Sequence, residues 1–302
     1  VVVIDEQHKF GVLQRARLRG KGRVPDVLVM TATPIPRTMT MSVYGDLDVS
    51  TLDELPAGRG RVVTAVRDAG KLADAVDFFR GFLEAGRQLY IVYPLVDESE
   101  KMPVKSAVKE HERWVDVWKP LECGLLHGRM SPEEKEAVMG RFRSGELRVL
   151  VATTVIEVGI DVANANLMLI ENSERFGLAQ LHQLRGRIGR GAHKGYCVLL
   201  TSTDDPEARD KLRVLERTAN GFEIAEADWE LRGPGDVFGT AQSGIAPVRI
   251  GNLVKDADLM QRARGAAFVL MERDPRLEAV ENRRYRVHLE MAGRKGDLAD
   301  VS

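Results

Sequence analysis

The run Leu147-Arg148-Val149-Leu150-Val151-Ala152 leads directly into Thr153-Thr154-Val155-Ile156-Glu157-Val158-Gly159-Ile160-Asp161. Residues 147–152 predict a strand. Hydroxyls, Gly159 and Asp161 follow within nine residues. Ligands of open α/β sheets bind at that carboxyl end. Downstream come a second strand at 166–170, a segment from Glu171 to Arg190, and a third strand at 195–200.

Upstream the same alternation continues. Apolar residues at 72, 75, 76, 79, 82 and 83 predict a helix over 71–85, stopped by Gly86. Residues 88–96 predict a strand, and the charged stretch 97–120 an exposed helix and loop. Ser131-Pro132-Glu133-Glu134 forms a capping box with Pro at the first helical position, for a helix ending near Gly145. That helix start lies beside Gly128 and Arg129, where it either holds a backbone phosphate or acts as a plain cap. Strands alternating with helices predict an α/β fold, a parallel sheet with helices on both faces.

The first residues, Val1-Val2-Val3-Ile4, predict a strand buried on both faces. There is no leading methionine or cap, so the chain is expected to be a piece of a longer protein. Asp5-Glu6-Gln7-His8 stands at that strand's carboxyl end and suits a magnesium site. One carboxylate would hold the hydrated ion and the other would orient or deprotonate a water. The same four residues also read as a solvated turn. The basic segment from Arg15 to Arg23 reads as a solvated helix and loop. A second strand, Val27-Leu28-Val29-Met30, runs into Thr31-Ala32-Thr33-Pro34. Residues 53–61, rich in Pro, Gly and charge, read as a linker at a domain boundary.

Beyond residue 203 the strand pattern stops. Asp205-Pro206 caps a helix with apolar positions at 208, 212, 215 and 219, ended by Gly221. A short helix near 222–230 would complete a helical hairpin. Residues 231–244, with glycines at 233, 235, 239 and 244, read as a loop. An amphipathic helix is expected over 256–273, closed by Asp274-Pro275, and the run Arg283-Arg284-Tyr285-Arg286 as a solvated face.

Composition bounds the rest. The chain has 302 residues, 44% hydrophobic and 29% charged, which suits about two globular domains. A net charge of −1 leaves nucleic-acid contact to local basic patches. Cys123 and Cys197 are too few for a disulfide framework and fit reduced thiols in a cytoplasmic protein. No apolar run is long enough for a membrane span of roughly 20 residues. The octet Gln183-Leu184-Arg185-Gly186-Arg187-Ile188-Gly189-Arg190 makes a poor core segment. Arg187 and Arg190 suit phosphate, because each guanidinium is a permanent, planar fork of donors. A surface loop with solvated arginines is the plain alternative.

Asp5-Glu6-Gln7-His8, Thr31-Ala32-Thr33, Thr153 to Asp161 and Gln183 to Arg190 occur in the order of helicase motifs II, III, V and VI. The chain resembles superfamily-two helicases, most specifically from residue 1 to about 250. Within them it resembles a branch of DNA motors that share Tyr44 to Ser50, Glu174 to His182 and Leu231 to Asp236. The resemblance implies two RecA-like lobes that hydrolyse ATP with Mg²⁺ to remodel branched DNA, forks and Holliday junctions. It implies a bacterial, cytoplasmic protein, monomeric at full length, with a single-stranded-DNA-binding protein as a further partner. By the same resemblance, Asp5 would hold Mg²⁺ and Glu6 would activate the attacking water. His8, Thr31 and Thr33 would couple the ATP site to motion. Thr153 would contact a DNA phosphate. Gly159, Asp161 and Gln183 would face nucleotide, and Arg187 and Arg190 would sense its γ-phosphate. The hairpin and loop at 204–244, with Arg232 and Gln242, would convert lobe closure into movement on duplex DNA.

The resemblance divides the chain into a remnant of the first lobe at 1–57, a second lobe at 58–203 and a hairpin region at 204–302. The phosphate-cradling pattern Gly-x-x-x-x-Gly-Lys-Ser/Thr does not occur in these residues, so they are expected to hydrolyse no ATP by themselves. Two other readings stand beside the branched-DNA motor. One is a transcription–repair coupling translocase that engages RNA polymerase. The other is a non-catalytic nucleic-acid-binding module.

Overall fold

The computed structural model describes residues 1–5, 26–32, 49–52, 54, 58, 60–94, 102–153, 162–238 and 256–296. They belong to two compact units, one of residues 1–36 and 52–237, the other of residues 37–51 and 238–302.

In the first unit, β1 (Val2–Asp5) pairs in parallel with β2 (Val27–Met30), with Val2 opposite Val27 and Asp5 opposite Met30. The expectation that β1 is buried on both faces is corrected. Ile4 is buried, but Val1 and Val3 are exposed, as are Leu28 and Met30 on β2. Burial on both faces needs cover on both sides of the sheet. Here the described residues cover one, so burial follows the two-residue pleat.

The larger sheet is parallel, as expected, and holds two strands besides those expected, at 62–68 and 123–126. Its strands are β3 (Val62–Asp68), β4 (Gln88–Val92), β5 (Cys123–Leu126), β6 (Val149–Ala152), β7 (Ala165–Ile170) and β8 (Gly195–Thr201). All six pair in parallel in the order β3-β8-β7-β4-β6-β5. Successive side chains alternate between two cores. Leu89, Ile91, Val149, Val151, Leu167 and Leu169 meet α1 (Leu72–Glu84) and α2 (Met102–Trp118) on one face. Tyr90, Val92, Leu150, Met168, Ile170 and Leu199 point to the other. There they meet α3 (Pro132–Arg143), α4 (Leu178–Arg185), α5 (Pro206–Arg217) and α6 (Gly221–Phe238). Double-sided burial is why these strands read as unbroken apolar runs.

Local chemistry sets most boundaries. Ser131 caps α3 through Glu134 N, and the Glu134 carboxylate accepts from Ser131 N at 2.7 Å, completing the capping box. The reversal after α1 falls at Gly86 (φ 90°) and that after α3 at Gly145 (φ 81°), a backbone region that glycine enters without strain. β4 ends at Val92, short of the expected 96, because Pro94 lacks a ladder donor; residues 95–101 lie outside those described.

Three expectations need correction. The charged stretch before residue 120 is not an exposed helix. Trp114 and Trp118 of α2 are wholly buried and stacked, with centroids 6.1 Å apart, while Lys109, Glu112, Arg113 and Asp116 are exposed. Gly221 does not end α5 but begins α6. The break comes at Thr218, whose backbone is extended and whose Oγ1 accepts from Asn220 N, while Asn220 Oδ1 accepts from Phe222 N. The second helix is not short either. α6 runs through Gly233-Pro234-Gly235 to Phe238, anchored by buried Ile224, Ala225 and Trp229. Gly233-Pro234-Gly235 are poor helix formers, which is why that stretch reads as a loop in the sequence. Residues 239–255 lie outside those described.

The second unit carries α7 (Ala257–Arg273) and α8 (Arg283–Gly296). Asp274 organises the turn between them by accepting from Glu278 N, Ala279 N and Asn282 Nδ2 at 2.9, 3.0 and 2.8 Å. The basic run on α8 is exposed, as read, with Arg286 paired to Glu290 on the next turn. Among the described residues no helix is long and apolar enough to cross a membrane, and no His, Cys, Asp and Glu cluster with a metal ion's geometry.

Candidate functional site

The octet from Gln183 to Arg190 straddles the end of α4. Gly177 caps that helix, its amide donating to Gln180 Oε1 at 3.2 Å, and the helix seats Leu178, Leu181 and Leu184 in the core. Past Arg185 the backbone tightens, with Arg187 N donating to Leu184 O at 2.9 Å and Ile188 N to Arg185 O at 3.2 Å. Ile188 is buried and holds this turn down. Gln183 and Arg187 are half-buried, and Arg190 is exposed with its Nε on Gly186 O at 3.2 Å. One short turn thus carries a half-buried Arg187 and an exposed Arg190.

The third arginine of the octet, passed over in reading the sequence, behaves differently. Arg185 is only 6% exposed. Its Nη1 donates to Leu215 O at 2.8 Å, Thr218 O at 3.0 Å and Thr64 Oγ1 at 3.4 Å, and its Nη2 lies 3.2 Å from His182 Nδ1. Burial lowers its proton affinity from the ordinary guanidinium value, with the nearby Cys197 sulfur opposing. Four acceptors compensate the desolvated charge in place of a carboxylate. The sequence did hold a signal. Positions 178, 181 and 185 follow the i, i+3, i+7 stripe that faces a core.

Arg185 ties α4 to the turn of the α5–α6 hairpin. Further bonds fix α5 to the sheet. Lys211 Nζ donates to Glu174 O and Phe176 O at 3.0 and 2.8 Å. Arg209 bonds Asp68 and Thr203 O. Glu216 Oε1 accepts from Val66 N at 2.5 Å and pairs with Arg67. The Val66 amide lies on edge strand β3, so Glu216 also blunts an otherwise open edge.

Polar residues line the carboxyl ends of the strands, as a ligand-binding α/β sheet requires. In sheet order they are Glu171 after β7, Tyr93 after β4, Thr153 after β6, and His127, Gly128 and Arg129 after β5. Thr153 N bonds Leu126 O at 3.2 Å, which places the Thr153 and His127 backbones side by side. Thr153 Oγ1, His127 Nδ1 and Glu171 Oε1 are buried with no hydrogen-bond partner in the structure. Gly128 and Arg129 are exposed, and Gly128 O accepts from Lys135 Nζ at 3.0 Å. Tyr93 Oη accepts from Trp114 Nε1 at 2.7 Å and donates to Glu110 at 3.0 Å. Burial raises the Glu171 carboxyl above its usual range, with Arg113 opposing, and burial also raises the Tyr93 phenol.

The remaining expected site residues divide in two. Asp5 and Thr31 are exposed at neighbouring carboxyl ends of the β1–β2 pair, Asp5 lying opposite Met30. Arg232 falls within α6. Glu6, His8, Thr33, Gly159, Asp161 and Gln242 lie outside the described residues.

The family model described as helicase conserved C-terminal domain matches residues 71–192, and that of the ATP-dependent DNA helicase RecG, domain 3, C-terminal, matches 218–296. The chain is 50% identical to the RecG helicase of Synechocystis over 92% of its own length and 34% of that relative. It is 49% identical to that of Thermotoga maritima (87% and 34%) and 44% identical to that of Bacillus subtilis (91% and 40%). The chain thus spans about a third to two fifths of these curated relatives. A solved structure of RecG bound to a three-way DNA junction superposes with a TM-score of 0.65 at 44% identity, covering 86% of this chain and 33% of that one. The Lhr helicase of Mycobacterium smegmatis shares the fold at a TM-score of 0.52 and 20% identity. A chain that carries these two models and this level of identity along most of its length belongs to the RecG family of superfamily-two helicases, of which it is the C-terminal part.

Proposed function

We propose that these residues are the C-terminal motor part of an ATP-dependent helicase that remodels branched DNA, stalled forks and Holliday junctions, in the bacterial cytoplasm. The carrying observation is the division within the octet. Arg185 is buried against the hairpin, whereas Arg187 is half-buried and Arg190 exposed on the turn. In this reading Arg187 and Arg190 meet the charge that develops on the transferred γ-phosphoryl group. Gln183, Gly159 and Asp161 bind nucleotide. Asp5 and Glu6 serve the metal and the attacking water, with His8, Thr31 and Thr33 coupling that site to motion.

The exposed Asp5 carboxylate, at a strand's carboxyl end beside Thr31, suits Mg²⁺, a hard ion that keeps most of its waters and takes one or two carboxylates. Mg²⁺ when bound offsets the charge of the phosphates. The partnerless Thr153 hydroxyl and the Gly128-Arg129 turn suit a DNA phosphate. Arg185 passes displacement of the octet to the hairpin, and Arg232 and Gln242 apply it to duplex DNA. RecG bound to a three-way junction supports branched DNA as the partner, and the relatives point to this motor over the polymerase-coupled translocase. We further propose a monomer at full length that engages a single-stranded-DNA-binding protein.

The test is an unwinding assay on synthetic forks. The full-length protein is expected to unwind them with ATP and Mg²⁺, while residues 1–302 alone hydrolyse no ATP with or without DNA. Normal turnover by these residues alone contradicts this division of labour.

A further inference from the structure

We propose that Gly60, in the linker ahead of β3, is a positioning residue for the arginine turn, so that linker and turn move together. This rests on the reading above, in which Arg187 and Arg190 face ATP.

Gly60 N donates to Gly191 O at 2.9 Å, directly after the octet, and Gly195 N donates to Arg61 O at 2.9 Å. These bonds clasp the loop 191–195 to the linker's last residues. The clasp is tight. A Cβ on Gly60 would stand 2.9 Å from Gly191 O and still closer to His193 O, both of them backbone atoms that cannot swing aside. From the other side Gly189, at φ 70°, faces Val62 and Gly60 O, where a Cβ would meet them at 2.5 and 3.0 Å. Gly191 is equally confined against Ala163 O, at 2.6 Å. The turn bearing Arg187 and Arg190 is therefore held between the linker's end and the segment ahead of β7, with no room for independent shift. Further along β3, Thr64 and Val66 bond Arg185 and Glu216 of the hairpin system. One strand thus joins linker, arginine turn and hairpin.

The test uses full-length protein carrying Gly60→Ala, with Gly81→Ala as control, since nothing lies within 4 Å of a Cβ on Gly81. Gly60→Ala is expected to lower kcat for DNA-stimulated ATP hydrolysis by about 10²-fold, the scale of a misplacement of roughly 1 Å. Because the Cβ must displace the 191–193 backbone, some fall in melting temperature is expected, but KM for ATP and junction binding of the folded variant should stay near wild type, a split that simple loss of structure would not produce. Gly81→Ala should match wild type in kcat, KM and junction binding and melt slightly higher, because Ala is the better former inside α1. Should Gly60→Ala not fold, hydrogen exchange on the unmodified protein decides. The Gly60 amide and the 187–193 amides should be protected together, and further together on adding a non-hydrolysable ATP analogue. A folded Gly60→Ala protein with wild-type kcat, or a Gly60 amide that exchanges freely, overturns the inference. Arg187→Ala separates the two levels. If it retains turnover, the reading of the arginines has failed; if it is inactive while Gly60→Ala is normal, only the linker inference has failed.

Discussion

Arg185 shows how one residue type fills two roles within eight positions. Its guanidinium holds two backbone carbonyls of the hairpin turn, Leu215 O and Thr218 O. Truncation would leave both without that donor in a buried setting. Arg185→Ala is expected to cost about 3 kcal/mol by chemical denaturation, the scale of losing a charged hydrogen bond and stranding its acceptors. Arg185→Lys should recover only part, because an ammonium cannot reproduce the planar fork. An Arg185→Ala protein as stable as wild type would remove the anchor from the account. Asp274 gives a pH-dependent case. Its carboxyl is held below the ordinary 3.8, first by Asn282 and then by the Glu278 and Ala279 amides. A depressed folded value means the stabilisation is present above the unfolded value and is lost as pH falls through the folded one. Exchange of the Glu278 and Ala279 amides should therefore accelerate, beyond its intrinsic pH trend, as pH drops from 5 toward 2. Asp274→Asn should remove that dependence.

Elements were legible where local chemistry decides them. The capping box at Ser131 and the glycine stops at 86 and 145 belong to short-range backbone physics, and the sequence carries them directly. The buried tryptophans of α2 were hidden by the charges around them, since the stripe facing the core is narrow in a long polar helix. Trp118 fills that stripe with no exposure, its ring also covered by the Arg80 guanidinium at 5.5 Å. Trp118→Ala should cost about 3–5 kcal/mol in denaturant unfolding. A loss below about 1 kcal/mol would mean the site collapses freely and α2 is not a core helix. The hairpin break was misplaced because Gly221 looked like a stop, whereas the Thr218 and Asn220 side chains make the turn. Such Asx- and Thr-based turns leave weaker marks than glycine.

For the whole molecule, unbroken apolar strands spaced by helices were enough to predict a parallel sheet with two covered faces. Strand order was not legible, because the pairing of β4 with β6 and β7 depends on crossovers that no local pattern encodes. The candidate site was legible as residue types at strand ends. What stayed hidden was which arginine is structural, since that depends on hairpin carbonyls 30 and 33 residues away. In the proposed motor Arg187 and Arg190 act on the reacting phosphate while Arg185 carries the mechanical link. DNA-stimulated ATP hydrolysis by full-length Arg187→Ala and Arg190→Ala proteins tests it most directly. Each should retain its fold and junction binding and lose roughly 10³-fold in kcat, the lower range for an arginine acting on phosphoryl transfer. Folded variants that hydrolyse ATP at the wild-type rate would contradict it.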